Sequence, residues 1–220
     1  MRNKKTIYKE LKKDIMSGKL LPGSNLVERE ISNEYSISRT PIREILWRLV
    51  SDGLIKQEPS GGYIIKRISL EEIFNIFQSR EAIEGMAARL ACQKGDDSFF
   101  SNIKEIREKI KEIDIEKNSQ EGIFYGRKLH DLIITTANNT FLSEFYKKLR
   151  DLAALTRNIT QKSVLIEKKS QESHLDIINS LEEKDEAKSE SCMREHLRIT
   201  CRLMVNNFYP SLFEKIDSKD

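Results

Sequence analysis

Cysteine is scarce in this 220-residue chain. Cys92, Cys192 and Cys201 are scattered without paired or metal-like spacing, which speaks against a disulfide scaffold and suits a reducing cytosol. Proline is rarer than in most chains, and past residue 69 it occurs only at Pro210, so nothing there interrupts long helices until the end. No apolar run is long enough to span a membrane, and the lysine-rich start lacks the apolar segment of a signal peptide. The expectation is a soluble cytoplasmic protein. Internal repeats, low-complexity segments, a nucleophile elbow, a phosphate-cradling glycine loop and a zincin pattern are also absent. A strong charge of one sign is lacking too, since the net charge is only +3. Its distribution is more telling. Residues 1–68 hold 14 Lys+Arg against 8 Asp+Glu, whereas the remaining 152 residues hold 24 against 27. The basic excess needed for counterion-release binding to nucleic acid therefore lies at the N-terminal end.

That end carries the most informative stretch, Ser38-Arg39-Thr40-Pro41-Ile42-Arg43-Glu44. Ser38 or Thr40 can cap a helix, and Pro41 suits a first turn, where its missing N–H costs nothing. Ile42, Ile45, Leu46, Leu49 and Val50 then recur as the stripe of an amphipathic helix. Arg39 and Arg43, four apart, share a face near its N-terminal end. A recognition helix presents side chains to the major groove in this way. Upstream, Ile7, Tyr8, Leu11 and Ile15 mark a first helix ended by Gly18, and residues 28–35 mark a short second one. Downstream, residues 54–57 and 63–66 read as strands around a Pro59-Ser60-Gly61-Gly62 tip. Three helices followed by a β-hairpin make a winged helix-turn-helix. Lys4, Lys5, Lys9, Lys12 and Lys13 are expected mainly to solubilise the first helix.

Residues 7–66 resemble the DNA-binding domain of the GntR family of bacterial transcription regulators. The resemblance rests on Leu21-Pro22-Gly23, Leu26, Glu28-Arg29-Glu30, the Ser38–Glu44 stretch, Leu49, Asp52-Gly53-Leu54-Ile55 and Gly61-Gly62. It implies DNA contacts from Arg29, Arg39 and Arg43, with Ser38 and Thr40 at the start of the recognition helix, Thr40 near phosphate, and the Gly61-Gly62 wing tip in the minor groove. Arginine's fixed fork of donors fits guanine O6 and N7, so base reading is assigned to one or both of Arg39 and Arg43. For Arg29, phosphate and base contact are equally open.

Residues 69–220 read as an all-α antiparallel bundle. Ser69-Leu70-Glu71-Glu72 forms a capping box opening a helix with Leu70, Ile73, Phe74, Phe77, Ile83 and Ala87 on its apolar side. Further helices are expected near 97–116, 121–138, 140–161, 166–182 and 185–208. Arg80–Glu84 followed by Ala87–Ala91 resembles the first helix of the FCD effector domain, found in the FadR-like branch of the same family. Leu129-His130 with Ala137-Asn138-Asn139, then His174–Ile178, then Met193–Leu197, are similar to its later landmarks. The expected division is 1–68 for DNA binding and 69–220 for effector binding and dimerisation.

Each of the three histidines falls on one of those landmarks and on an apolar helical stripe. His130, His174 and His196 are therefore candidate ligands of a transition metal, Zn or Ni foremost; they are also candidates for direct contact with an anionic effector, or for a buried core cluster. The resemblance implies an aspartate four residues before the first histidine. Gly126 stands there instead, and Asp131 lies about 100° round the helix. The expected centre is three histidines plus water, with Gly126 leaving room for a ligand. Arg80 is the first candidate clamp for a carboxylate effector, Arg150 and Arg157 the next; an Arg80–Glu84 ion pair is the alternative.

Together these features imply a homodimeric, effector-responsive regulator on a palindromic operator, and the family resemblance implies a repressor. Two rivals remain: a metal-dependent hydrolytic enzyme tethered to DNA, and an architectural DNA-binding dimer without effector. Glu172, Asp176 and Glu195 flank the histidines but are expected to point off their face.

Overall fold

A computed structural model describes residues 3–59, 61–159 and 163–208. They fall into two compact units: residues 1–69 with 150–159, and residues 70–149 with 160–220.

The first unit begins with α1 (Lys4–Met16), whose N-cap Asn3 accepts from the Thr6 N–H at 2.9 Å. Ile7, Tyr8, Leu11 and Ile15 are buried, as their spacing predicts. A two-residue strand, β1 (Asn25–Leu26), precedes α2 (Glu28–Tyr35) and α3 (Arg39–Ser51). Ser36 takes the left-handed conformation between these helices, with φ 53°. Ile42, Ile45, Leu46 and Leu49 of α3 form its buried stripe. The wing is β2 (Ile55–Gln57) and β3 (Tyr63–Ile65), paired antiparallel with Lys56 opposite Ile64. The sequence reading missed β1, which pairs Leu26 with Tyr63 and makes the sheet order β1-β3-β2. Two residues carry too little periodicity to announce a strand. It exists because β3 offers an edge, and Leu26 is buried there.

Residues 150–159 join this unit although the sequence division stops at 68. The reason is a polar cluster that no local pattern reveals. Lys12 is only partly exposed and pairs with both Asp151 and Asp52, while the Tyr8 hydroxyl donates to Asp52. The Arg48 guanidinium lies 4.0 Å from the Tyr8 ring centroid. Burial works against the Lys12 charge, but its bonds to Asp151 and Tyr8 hold its pKa above the ordinary value. Lys12 is thus a structural ion-pair residue, not one serving helix solubility.

The second unit is helical throughout its described residues: α4 (Leu70–Lys94), α5 (Asp97–Glu112), α6 (Ile115–Thr136), the start of α7 (Thr140–Ile159), α8 (Val164–Glu182) and α9 (Glu186–Phe208). α4 packs along α9 and α6, α8 lies against α9 and α6, and α5 covers α6 and α8. α5 stops at Glu112, short of the expected 116, because Gln171 of α8 donates its amide to the carbonyls of Ile110 and Ile113. Asp114 then caps α6, accepting from the Glu116 N–H at 3.1 Å. The opening turn of α6 is set off by a kink at Asn118. On α4, Ile73, Phe77 and Ala87 are buried as expected, but Phe74 is exposed: the bundle covers a narrower stripe than the sequence offers. Among the described residues no helix is long and apolar enough to cross a membrane.

Candidate functional site

In the first unit, Arg29, Ser38, Arg39, Thr40, Arg43, Gly61 and Gly62 are all exposed. Arg39 opens α3, and Arg43 follows one turn later on the same face. Pro41 sits in the first turn, as predicted. Ser38 is the N-cap residue by backbone geometry, but its side chain makes no capping hydrogen bond, which corrects the expected capping role. Gly61 and Gly62 have φ of 88° and 92°, and a side chain there would meet nothing within 4 Å. Their need for glycine is conformational, since positive φ strains other residues. The tip is closed by the Gly61 N–H on the Glu58 carbonyl (2.9 Å) and the Glu58 N–H on the Gly62 carbonyl (3.1 Å).

One contact ties the start of α2 to α3 and was not foreseen. Arg43 donates through Nε to Oε1 of Glu28 and through Nη2 to Oε2, both at 3.1 Å. Glu28 thereby raises the already high pKa of Arg43.

In the second unit, the three histidines meet. His130 comes from α6, His174 from α8 and His196 from α9; each is at most 7% exposed. Their ring centroids are 4.4 to 5.2 Å apart. One ligand atom from each lies within 4.8 Å of the others.

The groups behind the rings decide which nitrogens face inward. Glu84 of α4 sits 2.5 Å from His130 Nδ1. A carboxylate there accepts an Nδ1–H, leaving the Nε2 lone pair free. Burial alone pushes the Glu84 pKa up, but Arg80 and His130 hold it down at about 2, so it is a carboxylate. Ser173 Oγ lies 2.7 Å from His196 Nδ1. Ser173 Oγ also lies within bonding distance of the carbonyls of Lys169 and Ser170. With its hydrogen on either carbonyl it accepts from His196 Nδ1–H and leaves Nε2 as the acceptor. His130 Nε2 and His174 Nε2 are 3.2 Å apart. Two nitrogens bound tetrahedrally at 2.0–2.1 Å to one zinc stand about 3.3 Å apart. The donor set therefore fits a transition-metal ion.

Gly126 is the residue whose expected role changes. A Cβ at this position would lie 2.5 Å from Cε1 of His174, so the space beside it is filled by that ring. It is not room for a ligand. Glycine is required here by close approach rather than by backbone angle. Asp131 accepts instead from the Tyr146 hydroxyl at 2.9 Å, outside the histidine cluster. Arg80 is buried and donates from Nε to Glu84 Oε1 at 2.6 Å, the ion pair weighed as its alternative role. Arg150 lies 3.8 Å from Asp151; the Arg157 side chain lies outside the described residues. Glu172, Asp176 and Glu195 are exposed, as expected. All three cysteines are free, and burial pushes the Cys201 thiol up to about 11. Glu84 and Ser173 were missed as partners of the histidines. Only the i, i+4 spacing of Arg80 and Glu84 hinted that Glu84 is special.

Comparison with known proteins agrees with both units. The profile of bacterial regulatory proteins of the gntR family matches residues 3–65, and that of the FCD domain matches residues 75–199. The HTH-type transcriptional repressor RspR of Escherichia coli K12 is 28% identical over 193 residues, covering 87% of this chain and 84% of its own length. The HTH-type transcriptional regulator YdhC of Bacillus subtilis is 28% identical over 151 residues, 68% of this chain and 67% of its own. The solved structure of E. coli McbR/YncC shares the fold at a TM-score of 0.79 and 20% identity, covering 94% of this chain and all of that one. With an N-terminal winged helix and an FCD bundle carrying a buried histidine centre, this chain belongs to the GntR family and is a transcription regulator, not an enzyme.

Proposed function

We propose that this regulator is a cytoplasmic repressor that binds a palindromic operator as a homodimer and responds to a small carboxylate at its histidine centre. The observation that carries the DNA half is the exposed arginine face at the start of α3. Arg39 and Arg43 read base edges, Arg29, Ser38 and Thr40 position the phosphates, and Gly61-Gly62 enter the minor groove. A single winged helix contacts too few bases for useful specificity, and a two-fold dimer doubles the site. The repressing sign follows the naming of its relative RspR.

His130, His174 and His196 would hold a transition-metal ion, Zn or Ni, which when bound would supply Lewis-acid chemistry for an effector carboxylate. Glu84 and Ser173 keep the imidazoles in the ligating tautomer, and Arg80, through the donors left beside its bond to Glu84, adds positive charge for the anion. The effector changes operator affinity by its different affinity for the DNA-competent and DNA-incompetent states.

The test begins with operators selected from a random duplex pool. Arg39→Ala and Arg43→Ala are each expected to lose about 1–3 kcal/mol of specific affinity while remaining folded. Wild-type affinity in both variants would refute the reading surface. Elemental analysis of protein purified without chelator is expected to find about one transition-metal ion per chain, lost in the triple alanine variant of the histidines. No metal after incubation with Zn or Ni would leave the histidines as direct anion ligands or as core.

A further inference from the structure

We infer that Glu28 is a positioning residue for sequence reading, holding the Arg43 guanidinium so that its outer edge is aimed at a guanine. The inference rests on α3 being the DNA-reading helix. Glu28 occupies the first position of α2, and Arg43 lies in the second turn of α3, so the contact spans the two helices of the reading motif. Its two bonds are parallel and equal, Nε to Oε1 and Nη2 to Oε2, each 3.1 Å. The carboxylate is the more enclosed partner, at 22% side-chain exposure against 55% for the arginine. The anchored end is therefore Glu28, and the arginine projects outward from it.

The chemistry of guanidinium makes this arrangement productive rather than inhibitory. Arginine has five N–H donors in one plane. The fork to Glu28 uses the Nε–H and one Nη2–H, the side edge of the group. The end edge, one hydrogen on each of Nη1 and Nη2, stays free. That edge also presents two parallel donors, the pattern that matches guanine O6 and N7. An unrestrained arginine must lose several rotamers to reach that geometry, and it can instead settle on a nearby phosphate, which carries no sequence information. Glu28 removes those alternatives before DNA arrives. Its negative charge also weakens general phosphate attraction at this spot. Both effects favour discrimination over bulk affinity.

The prediction differs from that of a structural role for Glu28 at the N-terminus of α2. Full-length protein is used to select duplexes from a randomised pool, and binding of each variant is then measured with single-base replacements in the recovered half-site. Arg43→Ala is expected to erase preference at one guanine. Glu28→Gln and Glu28→Ala are expected to reduce preference at that same guanine by at least about fivefold, the lower end of what a bidentate pair contributes. Other positions should keep their preferences, and binding to an unrelated duplex should hold or rise. Glu28→Asp, which keeps the carboxylate, should retain more of the guanine preference than Glu28→Gln. Unchanged preference in Glu28→Gln while Arg43→Ala loses its guanine would overturn the positioning role but leave the recognition helix standing. Uniform loss across all positions would make Glu28 a helix-stabilising residue only. If Arg43→Ala itself changes no position, the base-reading assignment and this inference fall together.

Discussion

Replacing Gly126 by alanine sets two effects of similar size against each other, and the structure says which wins. Glycine inside a helix costs about 1 kcal/mol relative to alanine, so on propensity alone the change stabilises. The new Cβ, however, would stand 2.5 Å from Cε1, 3.1 Å from Nδ1 and 3.3 Å from Nε2 of His174. That ring has little freedom to retreat. It is 7% exposed, its Nε2 is 3.2 Å from His130, and its centroid is 4.4 Å from that of His196. Overpacking of such a site costs about 1–3 kcal/mol. The expected net result is a loss of up to about 2 kcal/mol. In a His174→Ala background the ring is gone, and the same substitution should stabilise by about 1 kcal/mol. The two backgrounds therefore differ by the overpacking cost, a coupling of about 1–3 kcal/mol in a double-mutant cycle. The assay is urea unfolding followed by circular dichroism, with chelator present so that metal does not contribute. A gain of about 1 kcal/mol in both backgrounds would refute the claim that His174 fills the space beside Gly126.

Other outcomes follow from the same geometry. Arg80→Met leaves the Glu84 carboxylate buried without its arginine and should destabilise the helical unit by about 3–5 kcal/mol in chemical denaturation; less than about 1 kcal/mol would mean the pair is dispensable. Zinc at a hundred times its dissociation constant should stabilise the wild type by about 2.7 kcal/mol, and the triple histidine variant not at all. Arg29→Ala should lower the slope of log affinity against log salt by about one while leaving base preferences unchanged, as loss of a phosphate contact does; altered preference at one base would instead make it a base reader.

Most of the architecture was legible because it rests on local periodicity. The stripes of Ile7–Ile15 and Ile42–Leu49, and the near absence of proline after residue 69, encode helices whose burial follows directly. The failures share a cause. β1 is a two-residue strand that exists only beside β3, and the Asp151 pairing with Lys12 joins residues 139 apart. Neither leaves a periodic trace.

The candidate site divides along the same line. Residue type and helical phase alone placed Arg39 and Arg43 on one exposed face, and His130, His174 and His196 on three buried ones, because both properties repeat with the turn of a helix. Tertiary packing alone decided what those side chains can do. Glu84 and Ser173 engage Nδ1 of His130 and His196, the His174 ring occupies the space beside Gly126, and Glu28 takes one edge of Arg43. Hydrogen bonds between distant segments depend on ångström-scale placement of whole helices, and that placement is a property of the packed core rather than of any local stretch of sequence.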